Sequence, residues 1–166
     1  FSTVAIGGFS THDASMGYFE SNTILLICSL FMVISAMNFG LHFLSWRRRS
    51  LAGYRQDSES RFFLGVLLIG IAVTCSYLIL TDTLPLSESL VHGLFQTISI
   101  TTTTGFATQD FAVWPTFLPV MLIMFSFMGG CVGSTAGGIK AVRLMLIAKQ
   151  GVRELKQLVH PKAIIP

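Results

Sequence analysis

The sequence predicts an all-α integral membrane protein built from repeats of helix, re-entrant pore loop and helix, and three observations carry that prediction. The 166 residues are 52% hydrophobic and only 11% charged, with mean hydropathy +0.69, whereas soluble domains carry about 25% charged residues. Residues 22–46 and 62–80 contain no Asp, Glu, Lys or Arg, and each can cross about 30 Å of hydrocarbon as a helix. Between such spans, residues 99–110 read Ser-Ile-Thr-Thr-Thr-Thr-Gly-Phe-Ala-Thr-Gln-Asp, and a related stretch opens the chain. Placing Gly8 and Phe9 on Gly105 and Phe106, an offset of 97 residues, also aligns Ser2 with Ser99, Thr11 with Thr108 and Asp13 with Asp110.

Charge placement orients the segments. The 11 basic residues fall in two blocks, Arg47, Arg48, Arg49, Arg55 and Arg61, then Lys140, Arg143, Lys149, Arg153, Lys156 and Lys162. Excess Lys and Arg marks cytoplasmic loops, so both blocks are expected inside. Asp13, Glu20, Asp82, Glu88 and Asp110 then face outside, either concentrating cations at an entrance or serving as ordinary solvated loop residues. The net charge of +3 requires no nucleic acid.

With this orientation, residues 1–46 read as a filter strand and the second helix of one pore repeat, the helix descending over residues 22–46. Residues 47–60 form a cytoplasmic loop. Residues 61–158 form the next complete repeat, and 159–166 begin a cytoplasmic linker. Inside that repeat, residues 61–81 return outward until Thr81-Asp82-Thr83-Leu84-Pro85 breaks the path. Pro85 suits a helix start, with Thr83 or Ser87 as cap. Residues 86–98 make a helix too short to cross, and the β-branched threonines that follow continue it poorly. Residues 101–105 climb back, 106–113 lie at the outer surface, Trp114 sits at the interface, and 114–128 descend again. The chain opens inside the first motif, without a basic signal-peptide start, and is expected to be a piece of a longer protein.

The Thr/Gly stretches point to an ion path. Non-helical backbone inside a membrane is tolerated where it is buried in protein or lines a polar cavity. A dehydrated cation needs several oxygens at once, which extended backbone supplies as carbonyls. Glycine reaches conformations closed to other residues, and Thr hydroxyls add a ligand or brace the loop. Oxygen donors without a carboxylate favour a monovalent ion over calcium or magnesium, with potassium the leading candidate. In a soluble protein a Thr run of this kind is an edge strand or turn; its repetition between uncharged spans weighs against that reading.

A second unusual element is Gly-Gly-Cys-Val-Gly-Ser-Thr-Ala-Gly-Gly at residues 129–138, before Ile139 and Lys140. Each helical Gly costs about 1 kcal/mol relative to Ala, so five in ten residues interrupt the descending helix. The segment reads as an intramembrane gate beside the path, or as close helix packing through small residues. A phosphate-binding loop fails on spacing, because Gly138-Ile139-Lys140 lacks the adjacent Gly-Lys pair and no Ser or Thr follows. Lys140 and Arg143 either hold the loop or anchor a helix at the headgroups.

Together, residues 4–13, 102–106, 129–140 and 153–161, the last reading Arg-Glu-Leu-Lys-Gln-Leu-Val-His-Pro, resemble the membrane subunits of bacterial Trk potassium-uptake systems, in the superfamily that includes the Ktr and HKT transporters. The Ala-Gly-Gly-Ile-Lys ending of the glycine loop resembles the Ktr branch, while the residue 153–161 tail is closer to Trk. The resemblance implies a potassium-channel-like fold in which four linked repeats surround one pore and each contributes a filter strand with a single key glycine. Gly8 and Gly105 are then the filter glycines of the second and third repeats. Potassium, the transported ion, would meet mainly backbone carbonyls of Ala5, Ile6, Gly7, Gly8, Thr102, Thr103, Thr104 and Gly105. The gating segment would comprise Gly129, Gly130, Cys131, Gly133, Ser134, Thr135, Gly137, Gly138 and Lys140.

The same resemblance implies a multi-pass protein of the bacterial cytoplasmic (inner) membrane, the missing repeats of the same protein as partners, a homodimer, and a cytoplasmic nucleotide-binding regulatory subunit. Residues 47–54 and 149–162 are the surface for that subunit, or for anionic lipid. Sodium-coupled or sodium-permeable transport and a non-transporting membrane scaffold are the competing classes. An enzyme is not expected, since Ser134 lacks a His or Lys partner for intramembrane proteolysis. His12, His42, His92 and His160 lie on separate segments without metal-site spacing, and Cys28, Cys75 and Cys131 suggest no disulfide framework.

Overall fold

The computed structural model describes residues 1–115 and 117–159. From position 160 the expected linker, with His160, Pro161 and Lys162, lies outside the described residues. Among the described residues there are seven α-helices, two short 3-10 helices and no strand. The α-helices are α1 (Asn22–Ala36), α2 (Phe39–Arg48), α3 (Ala52–Gln56), α4 (Ser58–Leu80), α5 (Leu86–Thr101), α6 (Phe117–Ser126) and α7 (Ala141–Val159).

Helix α4 follows its sequence closely. The Asp57 carboxylate accepts the Ser60 amide at 2.7 Å, an N-cap that leaves Glu59 in the first turn, where the helix dipole favours an acid. Its 23 residues rise about 34 Å, and among the described residues it alone is a straight helix long and apolar enough to cross a membrane.

Residues 22–46 depart from the expected single descending helix. The chain breaks at Met37 and Asn38, and α2 turns 95° from α1. Asn38 starts the new helix by accepting the Gly40 amide at 2.8 Å. His42 reaches back to the Ile34 carbonyl at 2.8 Å, providing a partner for an oxygen at the open end of α1. The uncharged run concealed a local cap. The expected 47–60 loop likewise contains α3 and the first turn of α4.

Two expectations for α5 are corrected. Neither Thr83 nor Ser87 caps it: Pro85 occupies the cap position without a side-chain bond, and Ser89 bonds the Leu84 carbonyl through its hydroxyl at 2.9 Å. The helix also runs to Thr101 rather than stopping at residue 98. Threonine hydroxyls return bonds to the preceding turn, Thr97 to the Gly93 carbonyl at 2.7 Å and Thr102 to the Ile98 carbonyl at 2.8 Å, which offsets part of the β-branched penalty. At 16 residues, about 24 Å, α5 is still shorter than the hydrocarbon thickness.

Helix α5 occupies the centre, packed against α4, α1 and α6. Its contact with α4 is close because the facing residues are small. A methyl on Gly93 would lie 3.0 Å from the Cys75 sulfur, one on Gly70 would lie 3.3 Å from the Thr97 methyl, and the hydroxyls of Thr97 and Thr74 bond at 3.0 Å. Met32, Phe63, Phe95 and Ile98 fill the main core. Trp114 packs with Leu78, Leu118 and Leu122, and Phe106 lies in the main core. The descending segment is interrupted between α6 and α7 as its glycines require. Helix α7 lies along α4 and leaves Leu146, Ile147, Leu155 and Leu158 exposed.

Candidate functional site

The two Thr/Gly stretches repeat in backbone conformation as well as in sequence. Ile6 and Gly8 have φ of +52° and +65°; Thr103 and Gly105, at the same offset, have +64° and +86°. Left-handed φ at a β-branched residue is a backbone outlier, yet it occurs at the equivalent place in both copies. The hydrogen bonds repeat too. The Ala5, Ile6 and Gly7 amides donate to the carbonyls of Phe1, Thr3 and Ser2 at 3.1, 3.2 and 2.9 Å. Those of Thr102, Thr103 and Thr104 donate to Ile98, Ile100 and Ser99 at 2.9, 3.0 and 2.8 Å. Ser2 accepts the Phe9 amide at 2.8 Å, whereas Ser99 donates to the Phe106 carbonyl at 2.6 Å. Each serine thus closes its loop across the glycine.

The side chains of Ile6, Thr102 and Thr104 are buried. The Thr102 and Thr104 hydroxyls bond each other at 2.7 Å, bracing the loop. Left-handed residues separated by one that is not break the strand-like alternation of carbonyl direction.

The loops lie against each other. A methyl on Gly8 would meet the Thr104 carbonyl oxygen at 2.0 Å. Farther along, the Met16 and Gly17 amides donate to the Ala107 carbonyl at 3.0 and 3.2 Å, and the Ala107 amide donates to the Ser15 hydroxyl at 3.2 Å. Ala5 and Gly7 lie in the first loop with Ile6 and Gly8, so all eight sequence-predicted loop positions belong to one paired structure. Around Gly105, by contrast, a methyl would find no described residue within 4 Å, and within this chain it is φ that disfavours a side chain.

The glycine loop at residues 129–138 packs against both. Thr135 donates its hydroxyl to the Val4 carbonyl at 3.0 Å, and the Gly137 amide donates to the Thr103 hydroxyl at 2.8 Å. Close backbone approaches set the glycines: Cβ atoms on Gly129 and Gly138, at φ +66° and +73°, would stand 2.0 Å from the Gly137 carbonyl and 2.8 Å from the Gly129 backbone. The opposite side of the loop plugs into the break between α1 and α2. The Cys131 amide bonds the Ala36 carbonyl at 2.8 Å, and the Phe39 amide bonds the Gly133 carbonyl at 3.0 Å. Gly130 is held by the same socket, since a methyl there would lie 2.6 Å from the Ala36 carbonyl oxygen. Ser134 donates its hydroxyl to the Cys131 carbonyl at 2.6 Å, a turn-stabilising bond within the loop.

Charged groups at the far end complete it. Lys140, at φ +74°, donates its ammonium to the Ala136 carbonyl, which supports the loop-holding reading over headgroup anchoring. Glu59 accepts the Val132 and Val142 amides at 2.8 and 3.2 Å. Glu59 and the socket residues Asn38 and Phe39 escaped the sequence reading. The Asn-x-Gly start of α2 carried a detectable cap signal, but no local pattern announced a bond spanning 73 residues. The described histidines have partners: His12 stacks on Tyr18, His42 bonds Tyr54, and His92 bonds Thr108 at 3.0 Å.

Residues 1–166 match the TrkH family, described as a cation transport protein. The chain is 53% identical over 165 residues to the Trk system potassium uptake protein TrkH of Halomonas elongata and 49% identical over 166 residues to the one of Escherichia coli K12, covering 99% of this chain and 34% of each relative. It is also 42% identical over 164 residues to the Trk system potassium uptake protein TrkG of Escherichia coli K12. Its fold superposes with TM-score 0.96 and 48% identity on the crystal structure of the potassium transporter TrkH from Vibrio parahaemolyticus, covering 99% of this chain and 36% of that one. The chain therefore spans about a third of the length of these relatives. Matched along its whole length, with the helical fold of a membrane transporter, this chain belongs to the TrkH family of cation transport proteins.

Proposed function

We propose that this chain supplies two neighbouring filter segments and the intramembrane gate of a potassium-uptake pore. The observation that carries the reading is the repeat, at an offset of 97 residues, of left-handed φ at Ile6 and Gly8 and at Thr103 and Gly105, with the same backbone bonds behind each pair. Two such loops in contact present backbone oxygens from adjacent sides of one axis, as a dehydrated monovalent cation requires. The ligands are mainly the carbonyls of Ala5, Ile6, Gly7, Gly8, Thr102, Thr103, Thr104 and Gly105. The related TrkH and TrkG proteins are named for potassium uptake.

In the complete protein, further repeats close the ring, and the assembly lies in the bacterial cytoplasmic membrane with both basic blocks inside. A cytoplasmic nucleotide-binding regulatory subunit engages that face, and the membrane subunit pairs as a homodimer. The segment at residues 129–138 gates the path, supported by its bonds to Val4 and Thr103 in the two filter loops.

The test is ion-competition flux in proteoliposomes of the full-length protein. Gly105→Ser restrains φ, so potassium preference over sodium falls. Equal selectivity in a well-folded variant removes Gly105 from the filter. Sodium-driven or sodium-preferring flux in the unmodified protein establishes the coupled or sodium-permeable alternative, and no flux establishes the scaffold.

A further inference from the structure

We infer that Glu59 is a positioning residue that latches the glycine loop closed, a role that rests on the pore reading only for its flux consequence. Glu59 belongs to α4, far in sequence from the loop, yet its Oε1 accepts the Val132 amide at 2.8 Å and the Val142 amide at 3.2 Å. Val132 lies inside the loop and Val142 in the first turn of α7. One carboxylate oxygen therefore ties the interior of the glycine loop to the first turn of α7.

The geometry makes this bond pair specific to the folded-back loop. Two nitrogens bonded to one oxygen at 2.8 and 3.2 Å are no more than 6 Å apart. Ten residues of continuous α-helix would separate them by about 15 Å. Any straightening of α6 through α7 must break at least one bond to Glu59. The first amides of α7 lack partners within their own helix and carry the positive end of its dipole, so a carboxylate is the acceptor best suited to hold them. Lys140 complements it from the other side, donating to the Ala136 carbonyl. The loop's inward contacts to Val4, Thr103, Ala36 and Phe39 are neutral, which leaves Glu59 as the anionic acceptor among its described bonds.

Cys131, next to Val132, reports on the latch because its side chain is fully buried in the closed loop. In the full-length protein with other cysteines replaced, the rate of Cys131 modification by a small methanethiosulfonate reagent is compared in Glu59, Glu59→Ala and Glu59→Gln proteins. Glu59→Ala raises the rate by about tenfold, the loss expected for charge-assisted bonds. Glu59→Gln, which retains an acceptor oxygen, stays within about threefold of the parent. Potassium flux rises with Glu59→Ala while the potassium to sodium preference is kept.

An unchanged Cys131 rate in folded Glu59→Ala protein overturns the latch, whatever the flux. A raised rate in a protein that carries no potassium flux upholds the latch and removes the pore reading. If Glu59→Ala does not assemble, Glu59→Asp, one methylene too short to hold both amides, takes its place: a severalfold faster rate supports the latch, and a rate equal to the parent's overturns it.

Discussion

Gly8 faces the carbonyl of Thr104 so closely that a methyl group on Gly8 would stand 2.0 Å from its oxygen. Among the described residues, nothing stands within 4 Å of where a methyl on the second glycine of the repeat, Gly105, would go. Both have left-handed φ, so one residue type is required for two different reasons. At Gly105 the requirement is conformational. At Gly8 it is also steric, imposed by the neighbouring loop.

Gly8→Ala should therefore cost more than Gly105→Ala. Left-handed backbone penalises any side chain by about 1–2 kcal/mol, which both variants incur. Gly8→Ala adds a backbone collision that no rotamer relieves. Thermal unfolding in detergent should show a modest loss for Gly105→Ala and failure to yield monodisperse protein for Gly8→Ala. Equal losses would mean that the two loops do not meet at Thr104.

Thr103→Val should loosen the glycine loop without changing side-chain shape. It removes the acceptor of the Gly137 amide, a bond worth about 1 kcal/mol, equivalent to roughly fivefold in an opening equilibrium. Potassium flux through the full-length protein should rise by about that factor, and Thr103→Ser, which keeps the hydroxyl, should restore the parent value. Flux that rises equally in both variants would assign the effect to packing.

Gly137 and Gly138 should respond differently to alanine. On Gly137 the nearest atom to a new methyl is the Thr103 hydroxyl at 3.2 Å, a side-chain group that can shift. On Gly138 the methyl meets the Gly129 backbone at 2.8 Å and φ is +73°. Gly138→Ala should abolish the compact loop, read as rapid thiol modification of Cys131, whereas Gly137→Ala should leave the rate within about threefold. Replacing both glycines with Ala should thus act chiefly through Gly138.

Asn38→Ala should lower stability by about 1 kcal/mol through the lost cap on α2. Its side-chain oxygen also stands 3.0 Å from where a methyl on Gly133 would sit. Gly133→Ala should consequently cost less in the Asn38→Ala background than alone, leaving mainly the penalty of φ +75°. Unfolding of the four proteins in a double-mutant cycle measures this coupling. Strict additivity would separate the α1–α2 break from the glycine loop.

Composition and local pattern were enough to determine the helical membrane character, the α4 span, the short α5, the offset between the Thr/Gly stretches and the interruption at residues 129–138. These features depend on hydropathy over a window, on glycine and threonine propensity, and on self-similarity, all of which are written along the chain. Only the tertiary structure decided the 95° break after α1, the extension of α5 through Thr101, and the burial of Trp114 and Phe106. It alone brought Thr135 to Val4, Gly137 to Thr103 and Glu59 to both the glycine loop and the start of α7. The physical reason is that a backbone amide donates to, and a carbonyl accepts from, whichever partner packing delivers. An acid in the first turn of α4 reads locally as ordinary dipole complementarity, and its task at Val132 and Val142 exists only once α4 and α7 lie side by side.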